Sequence, residues 1–340
     1  RARTRRAGRM SPNLATAQPV KILFVCDPLS GFVTYKDTTF AMMREAQKRG
    51  VAIYTAELKE LRARVNHEPN KPTVSLEVFG HHISIDNPQT QPWWIEHTAS
   101  WIDASEFSAI LMRKDPPFDQ HYLVATQLLE IAERQGVRVI NTPQALRDHG
   151  EKMAALEFAQ FTPPTLVSSD IRSLREFAIH TKKIVVKPLD CMGGAGVFVL
   201  QSDDPNLPSA LEVLSDNGSR AIVAQQYLPE IVKGDKRIIV INGKPVDYCL
   251  ARIPPEGQSR GNLAAGGRGL AQPLTPRDRE IATAVGKKLT ARGLLLIGLD
   301  VIGESLTEIN VTSPTGFQEI TEQSGIDVAA IFMDAVLGNK

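Results

Sequence analysis

Two short segments near the C-terminal end carry the most suggestive pattern of side chains. Gly298-Leu299-Asp300-Val301-Ile302 and Leu306-Thr307-Glu308-Ile309-Asn310 alternate polar and apolar residues at the strand period, so Glu308 and Asn310 share one face. A three-residue turn over Gly303-Glu304-Ser305 would set Asp300 opposite Glu308. Two facing carboxylates repel unless a cation lies between them. Hard oxygen donors of this kind suit Mg²⁺ bridging phosphates, with Mn²⁺ as the alternative. The competing reading is a solvated hairpin edge, but the interleaved Leu299, Val301, Leu306 and Ile309 argue for a packed sheet.

A second candidate is Lys187-Pro-Leu-Asp-Cys-Met-Gly193-Gly194-Ala-Gly196, a lysine at a strand end followed by a loop whose glycines let the backbone approach an anion. No Gly-Lys-Ser/Thr follows, so it is not a Walker A loop; a tight hairpin with an exposed lysine is the alternative. Third, Arg252 to Gly269 includes Arg260, Asn262 and Arg268 but little apolar material beyond Leu263. A segment so long and basic is expected to be a mobile lid whose arginines meet anions on closing, against a disordered surface insertion. His81-His82 lacks ligands at metal spacing and is expected at a solvated strand end. Met42-Met43 is expected in the core, and Trp93, Trp94 and Trp101 at a domain interface. No G-x-S-x-G elbow or evident Cys/His couple supports nucleophilic hydrolysis.

The elements that must hold these residues follow from periodicity. Val20 to Cys26 is an apolar run expected as a buried parallel strand, followed by a helix over Thr39 to Arg49 closed by Gly50 and a strand over Val51 to Tyr54. A second strand-helix-strand unit runs through Ala109 to Met112, Tyr122 to Arg134 and Val137 to Ile140. The loop after the first strand, Asp27-Pro-Leu-Ser-Gly31, lacks the dinucleotide fingerprint. From Phe161 the pattern turns α+β, with a helix at Ile171 to Thr181 and strands at Ile184 to Lys187 and Val197 to Leu200. Asn242-Gly243 between Arg237 to Ile241 and Pro245 to Leu250 predicts a type I′ hairpin. Thr275-Pro276 opens a helix as N-cap and N1, and Gly293 closes it.

Composition narrows the classes further. A 340-residue chain with 42% hydrophobic residues can bury a large core in two or three subdomains. A net charge of +1 from 39 basic and 38 acidic residues supplies no field for nucleic acid or a membrane surface. Three dispersed cysteines, Cys26, Cys191 and Cys249, suggest neither a disulfide framework nor a zinc site and fit a reducing cytoplasm. No apolar run reaches the roughly 20 residues of a membrane span. Residues 1–18, with Arg1, Arg3, Arg5, Arg6 and Arg9, are expected to be a disordered extension; a nucleic-acid arm or a transit peptide is the alternative.

With Ile110-Leu-Met-Arg-Lys-Asp-Pro-Pro-Phe-Asp119, Lys187-Pro-Leu-Asp190, Met192-Gly-Gly194, Cys249-Leu-Ala-Arg-Ile-Pro254, Arg260 to Gly269 and Leu306-Thr-Glu-Ile-Asn-Val-Thr-Ser-Pro-Thr315, the chain resembles the bacterial glutathione synthetases of the ATP-grasp superfamily. The resemblance covers nearly everything from Val20 to Leu337. It implies an α/β and α+β fold: a Rossmann-like N-terminal (pre-ATP-grasp) domain at 19–145, a small ATP-grasp subdomain at 146–228, and a C-terminal subdomain at 229–340 with the metal site and a flexible loop at 254–269. It further implies ATP-dependent joining of γ-glutamylcysteine to glycine through an acyl-phosphate, in a cytoplasmic homo-oligomer, dimer or tetramer, with small-molecule partners, no nucleic acid and no membrane. On this resemblance Lys152, Lys187, Gly193 and Gly194 meet ATP phosphates, Gln225, Gln226, Tyr227 and Leu228 line the adenine slot, and Asp235 and Arg237 border the nucleotide. Asp300, Glu308 and Asn310 hold the metal, with Asn310 also at the nucleotide. Arg113, Arg252, Arg260, Asn262 and Ser313 face the peptide and acyl-phosphate, and Arg252 and Lys187 take the catalytic roles. Cys191 stands where the family usually has Gly, which leaves the path of the phosphate loop open. An ATP-grasp ligase for another acid or amine and a non-catalytic nucleotide-binding regulator are the rival functions; ADP release with a substrate panel separates them.

Overall fold

The structure, a computed structural model, describes residues 19–68, 71–190, 196–256 and 266–338; among these, sixteen strands form three sheets. The first sheet takes β1 (Lys21–Val25), β2 (Ala52–Ala56), β3 (Leu61–Glu68), β4 (Lys71–Ile85), β5 (Trp94–Asp103), β6 (Ala109–Met112) and β7 (Arg138–Ile140). Its parallel part runs β2-β1-β6-β7, as the two strand-helix-strand units predict, and its helices are α1 (Thr38–Lys48), α2 (Gln120–Arg134) and α3 (Pro143–Asp148). The Asp37 carboxylate accepts from Phe40 N at the start of α1, and the Asp119 carboxylate accepts from Tyr122 N at the start of α2. Because β1 alternates, Leu23 and Val25 pack with α2 while Ile22 and Phe24 pack with α1, including Met42 and Met43.

The sequence did not disclose the antiparallel extension β3-β4-β5. It corrects the expectation for His81 and His82, which lie within β4 rather than at a solvated strand end. His81 is held between Glu60 and Glu96 at 3.0 and 2.8 Å, and His82 stacks on Tyr54. The tryptophans also divide: Trp93 is buried against Phe40, whereas Trp101 lies on the exposed face beneath Arg62.

The second sheet is antiparallel in the order β10-β9-β11-β8, from β8 (Thr165–Ser168), β9 (Lys183–Pro188), β10 (Phe198–Gln201) and β11 (Ile222–Gln226). It is covered by α4 (Ile171–Thr181) and α5 (Leu207–Leu214), and Leu174, Ile184, Val186, Leu211 and Ala224 make a core of its own.

The third sheet, β14-β13-β12-β15-β16, comprises β12 (Asp235–Ile241), β13 (Lys244–Ile253), β14 (Arg268–Pro273), β15 (Leu296–Ile302) and β16 (Ser305–Asn310), with α6 (Pro276–Thr290), α7 (Phe317–Ser324) and α8 (Val328–Leu337) against it. Asn242 and Gly243 both have positive φ, 49° and 79°, as a type I′ turn requires. The third sheet shares both cores of the first: Val240 and Leu299 join one cluster, Ile239 and Phe317 the other. Buried Asn141, just beyond β7, ties them together by donating to Leu296 O and Val311 O and accepting from Leu296 N.

The β15–β16 connection departs from expectation in an instructive way. Ile302 pairs with Ser305, so the turn is Gly303-Glu304 rather than three residues, yet a bulge beside Thr307 restores the pairing of Asp300 with Glu308. Thr307 Oγ1 donates to Asp300 O across the irregularity at 3.1 Å.

Candidate functional site

Asp300 sits on β15 of the third sheet, where β12 presents Arg237 directly beside it and β13 presents Arg252 one strand further away. Arg237 grips the carboxylate with Nε and Nη2 at 2.6 and 3.2 Å, and Arg252 Nη2 lies 2.9 Å from its second oxygen. Although burial alone would raise the Asp300 pKa, the two guanidiniums hold it well below the usual carboxylate range. Arg252 also reaches Asp235 Oδ2, at 2.5 Å. Asp235 gains less: burial pushes its pKa up to about 6 despite Arg252, and its Oδ1 is buried without a hydrogen-bond partner.

Across the hairpin, Glu308 accepts from Lys152 Nζ at 3.4 Å, and Asn310 Nδ2 donates to Gly298 O at 3.3 Å. Lys152 follows Glu151, a residue the sequence reading passed over. Glu151 Oε1 accepts from Val311 N, Thr312 N and Thr312 Oγ1, while its carbonyl accepts from Ile309 N. It therefore clamps the segment carrying Lys152 to the end of β16 and to the turn carrying Ser313. Burial, then the charge of Glu308, raises its pKa. An acid beside Lys152 was the only signal in sequence.

The second sheet contributes Lys187, at the end of β9, whose Nζ donates to buried Gln225 Oε1 at 3.2 Å; Gln225 Nε2 donates to Thr165 Oγ1. Lys187 is close enough to Asp235 to act on its charge. Gln226, Tyr227 and Leu228 follow where β11 passes into the linker to β12, with Lys183 3.9 Å from the Tyr227 ring centroid. Gly193, Gly194, Arg260 and Asn262, together with Cys191 and most of the expected lid, lie outside the described residues.

A cavity of about 360 Å³ opens between the first and third sheets, bordered by Asp115, Arg237, Arg252, Asn310, Ser313 and Glu319. Ser313 Oγ donates to Asp115 Oδ1. Arg113 borders an adjoining cavity of about 340 Å³. Its Nε donates to Thr39 Oγ1 and its Nη2 to Pro314 O, while Nη1 is buried without a partner and burial lowers its pKa. The structure thus gathers Lys152, Lys187, Asp235, Arg237, Arg252, Asp300, Glu308, Asn310 and Ser313 around one seam, with Arg113 beside it. Among the described residues, no three His, Cys, Asp or Glu side chains are grouped to hold a metal ion by themselves. Two carboxylates and an amide nonetheless fit Mg²⁺, which characteristically takes one or two protein carboxylates and completes its shell with phosphate and water oxygens.

Residues 20–147 match the family description "Prokaryotic glutathione synthetase, N-terminal domain" and residues 151–325 match "Prokaryotic glutathione synthetase, ATP-grasp domain". The chain belongs to the prokaryotic glutathione synthetase family. A glutathione synthetase from Ralstonia nicotianae is 51% identical to this family member over 317 residues, spanning 93% of this chain and 95% of the relative. Another, from Pseudomonas aeruginosa, is 48% identical over 319 residues, spanning 93% and 97%. Solved structures show the shared ATP-grasp ligase fold at lower identity. A D-cycloserine synthetase superposes with a TM-score of 0.65 at 15% identity, covering 94% of this chain and 99% of its own. A D-alanyl-alanine synthetase A from Vibrio cholerae gives 0.57 at 15%, covering 95% and 98%. This glutathione synthetase family member is therefore an ATP-dependent ligase, and no helix among its described residues is long and apolar enough to cross a membrane.

Proposed function

We propose that the chain joins γ-glutamylcysteine to glycine at the seam around Asp300, using ATP to convert the cysteinyl carboxylate into an acyl-phosphate. The observation that carries this reading is the convergence of Arg237 and Arg252 on Asp300 beside the cavity that also holds Ser313. A carboxylate is a poor acyl donor, so one of its oxygens attacks the γ-phosphorus of ATP and ADP leaves. Lys152 and Lys187 lie on the two sides of the seam to take phosphate charge. Arg113, with its spare Nη1, and Ser313 orient the peptide. Glycine's neutral amine then attacks the acyl carbon; the resulting oxyanion is stabilised by Arg252, phosphate departs, and the amine's proton is lost to solvent.

Asp300, Glu308 and Asn310 would hold Mg²⁺, which when bound supplies Lewis-acid neutralisation of phosphate charge. Gln225 to Leu228 would line the adenine slot, with Asp235 and Arg237 bordering the nucleotide. The division into three units at 19–145, 146–228 and 229–340 belongs to the same reading. A reducing cytoplasm is supported by the buried free thiols of Cys26 and Cys249. A homo-oligomer is supported by the long exposed edge strand β5. The decisive experiment incubates the protein with ATP, Mg²⁺, γ-glutamylcysteine and glycine. ADP, phosphate and glutathione should form in equal amounts; AMP and pyrophosphate would overturn the acyl-phosphate, and turnover with a different acid or amine would replace the substrates. Glu308→Gln should cut this turnover by about a hundredfold or more, in line with loss of a charge-stabilising group, while leaving the thermal unfolding temperature nearly unchanged.

A further inference from the structure

The turn of the β15–β16 hairpin does not by itself bring Asp300 and Glu308 together. Next to the turn, Ile302 pairs with Ser305 and Val301 with Leu306. Continued without interruption, that register would set Thr307 opposite Asp300 and Glu308 opposite Leu299, which is fully buried in the core. Glu308 would then point into the core, an expensive place for a carboxylate. One extra residue on β16 removes the conflict, and it lets Leu306 and Ile309, three positions apart, both face the core shared by the first and third sheets. Both flanks of the irregularity are fixed from outside the hairpin: Leu306 N donates to Phe161 O at 2.8 Å, and Ile309 N to Glu151 O at 3.0 Å. Between these flanks lie Thr307 and Glu308. Either can be the extra residue with the core unchanged, but Glu308 stands opposite Asp300 only when Thr307 is the one left over.

Resting on the proposal that Asp300, Glu308 and Asn310 hold Mg²⁺, we infer that Thr307 is a positioning residue for the metal site, its hydroxyl selecting the bulge register that sets Glu308 opposite Asp300. Thr307 Oγ1 donates to Asp300 O at 3.1 Å, from one side of the interruption to the other, and both residues are buried. The bond supplies a donor to a carbonyl beside the break in the ladder, where a buried acceptor without one is costly. With Glu308 as the extra residue instead, Thr307 would take its place in the ladder opposite Asp300, and the second carboxylate would leave the first. The other contacts of the two acids do not make this choice. Arg237 holds Asp300 at 2.6 Å and Lys152 holds Glu308 at 3.4 Å, each from outside the hairpin. Asn310 Nδ2 donates to Gly298 O across the hairpin, but that pairing is common to both registers. Thr307 acts through Glu308 and needs no contact with the ion.

Metal binding by the full chain tests this, read as the electron paramagnetic resonance signal of free Mn²⁺ during titration in the presence of ADP. Thr307→Val keeps the branched shape and removes the donor, so the Mn²⁺ Kd should rise about tenfold, the size of one hydrogen bond to a buried acceptor. Its affinity for ADP without metal should stay within roughly twofold of wild type, as should the metal affinity of Thr307→Ser, which keeps the hydroxyl. The Mg²⁺ concentration for half-maximal turnover should follow the same order, highest in Thr307→Val and near wild type in Thr307→Ser. Thr307→Cys, with a weaker donor in a side chain the size of serine, should fall between the two, and it carries the test if Thr307→Val does not fold. Wild-type metal affinity in Thr307→Val or Thr307→Cys, equal losses in Thr307→Val and Thr307→Ser, or a matching loss of metal-free ADP affinity would each overturn the inference. If wild type with ADP binds no Mn²⁺, the metal assignment itself fails, and that arm reports it before any variant is compared.

Discussion

The region around β8 to β11 and the remainder of the molecule are built on different principles. The small antiparallel sheet closes over its own core of Leu174, Ile184, Leu211 and their neighbours. The first and third sheets instead pass two clusters between them, one on each side, with buried Asn141 bonded across the join. A residue in the shared clusters therefore supports two sheets, while one in the small core supports only its own. Lys187, proposed to meet phosphate, is carried by the separate unit, and the acids and arginines by the fused body. Each half of the seam thus rests on a core of its own.

The harshest test of the fused body is Asp278→Ala. Asp278 is fully buried, pairs with Lys236 and completes the capping box with Thr275 at the start of α6. Removing it strands a buried ammonium and should cost roughly 3–5 kcal/mol of stability. Urea unfolding followed by tryptophan fluorescence should report that loss, because Trp94 and Trp101 lie in β5 of the first sheet and Trp93 immediately precedes it. A transition confined to the third sheet, with fluorescence unmoved, would separate the sheets described here as fused.

Leu211→Ala probes the other side. Deletion of a fully buried leucine should cost about 2–5 kcal/mol, felt within the small unit. Hydrogen exchange over 165–226 should accelerate and nucleotide binding weaken while the tryptophan transition remains in place. Coincident loss of both would show one cooperative body.

The smallest effect tests communication across the seam. Asp235 has a folded pKa of about 6 against an ordinary 3.8, so between these values the folded protein binds more protons than the unfolded chain. Its contribution must fall as pH rises from about 4 to 6. Asp300, held low by its arginines, works in the opposite sense, and its stabilisation is lost as pH drops below the ordinary carboxylate range. Asp235→Asn should flatten the pH 4–6 decline in the urea midpoint. Lys187→Met should shift that decline to higher pH, since Lys187 lowers the Asp235 pKa from the small unit; no shift would mean that the two units exchange no charge interaction at rest.

Much of this arrangement is written in local chemistry. The parallel strands around Leu23 and Ile110, the Asn242-Gly243 turn and the Thr275-Pro276 helix start are decided by period, positive φ and capping within a few residues. The pairing of Asp300 with Glu308 was likewise visible, along with the family. The turn was misjudged because a bulge is set by both partner strands, so the correct facing of Asp300 and Glu308 arose from a different register path. The β3-β4-β5 extension, with exposed positions along much of β5, lacks the strict alternation of a half-buried strand. Glu151 and Asn141 carry no periodic signature; their importance appears only when residues more than a hundred positions away fold against them. The sequence by itself determined the family, the element types and the chemical kinds of side chain available at the seam, because those depend on short-range pattern. Only the tertiary structure decided that two arginines would share one aspartate and that Glu151 would clamp two segments, because burial and opposed charge are properties of packed neighbours rather than of any stretch of chain.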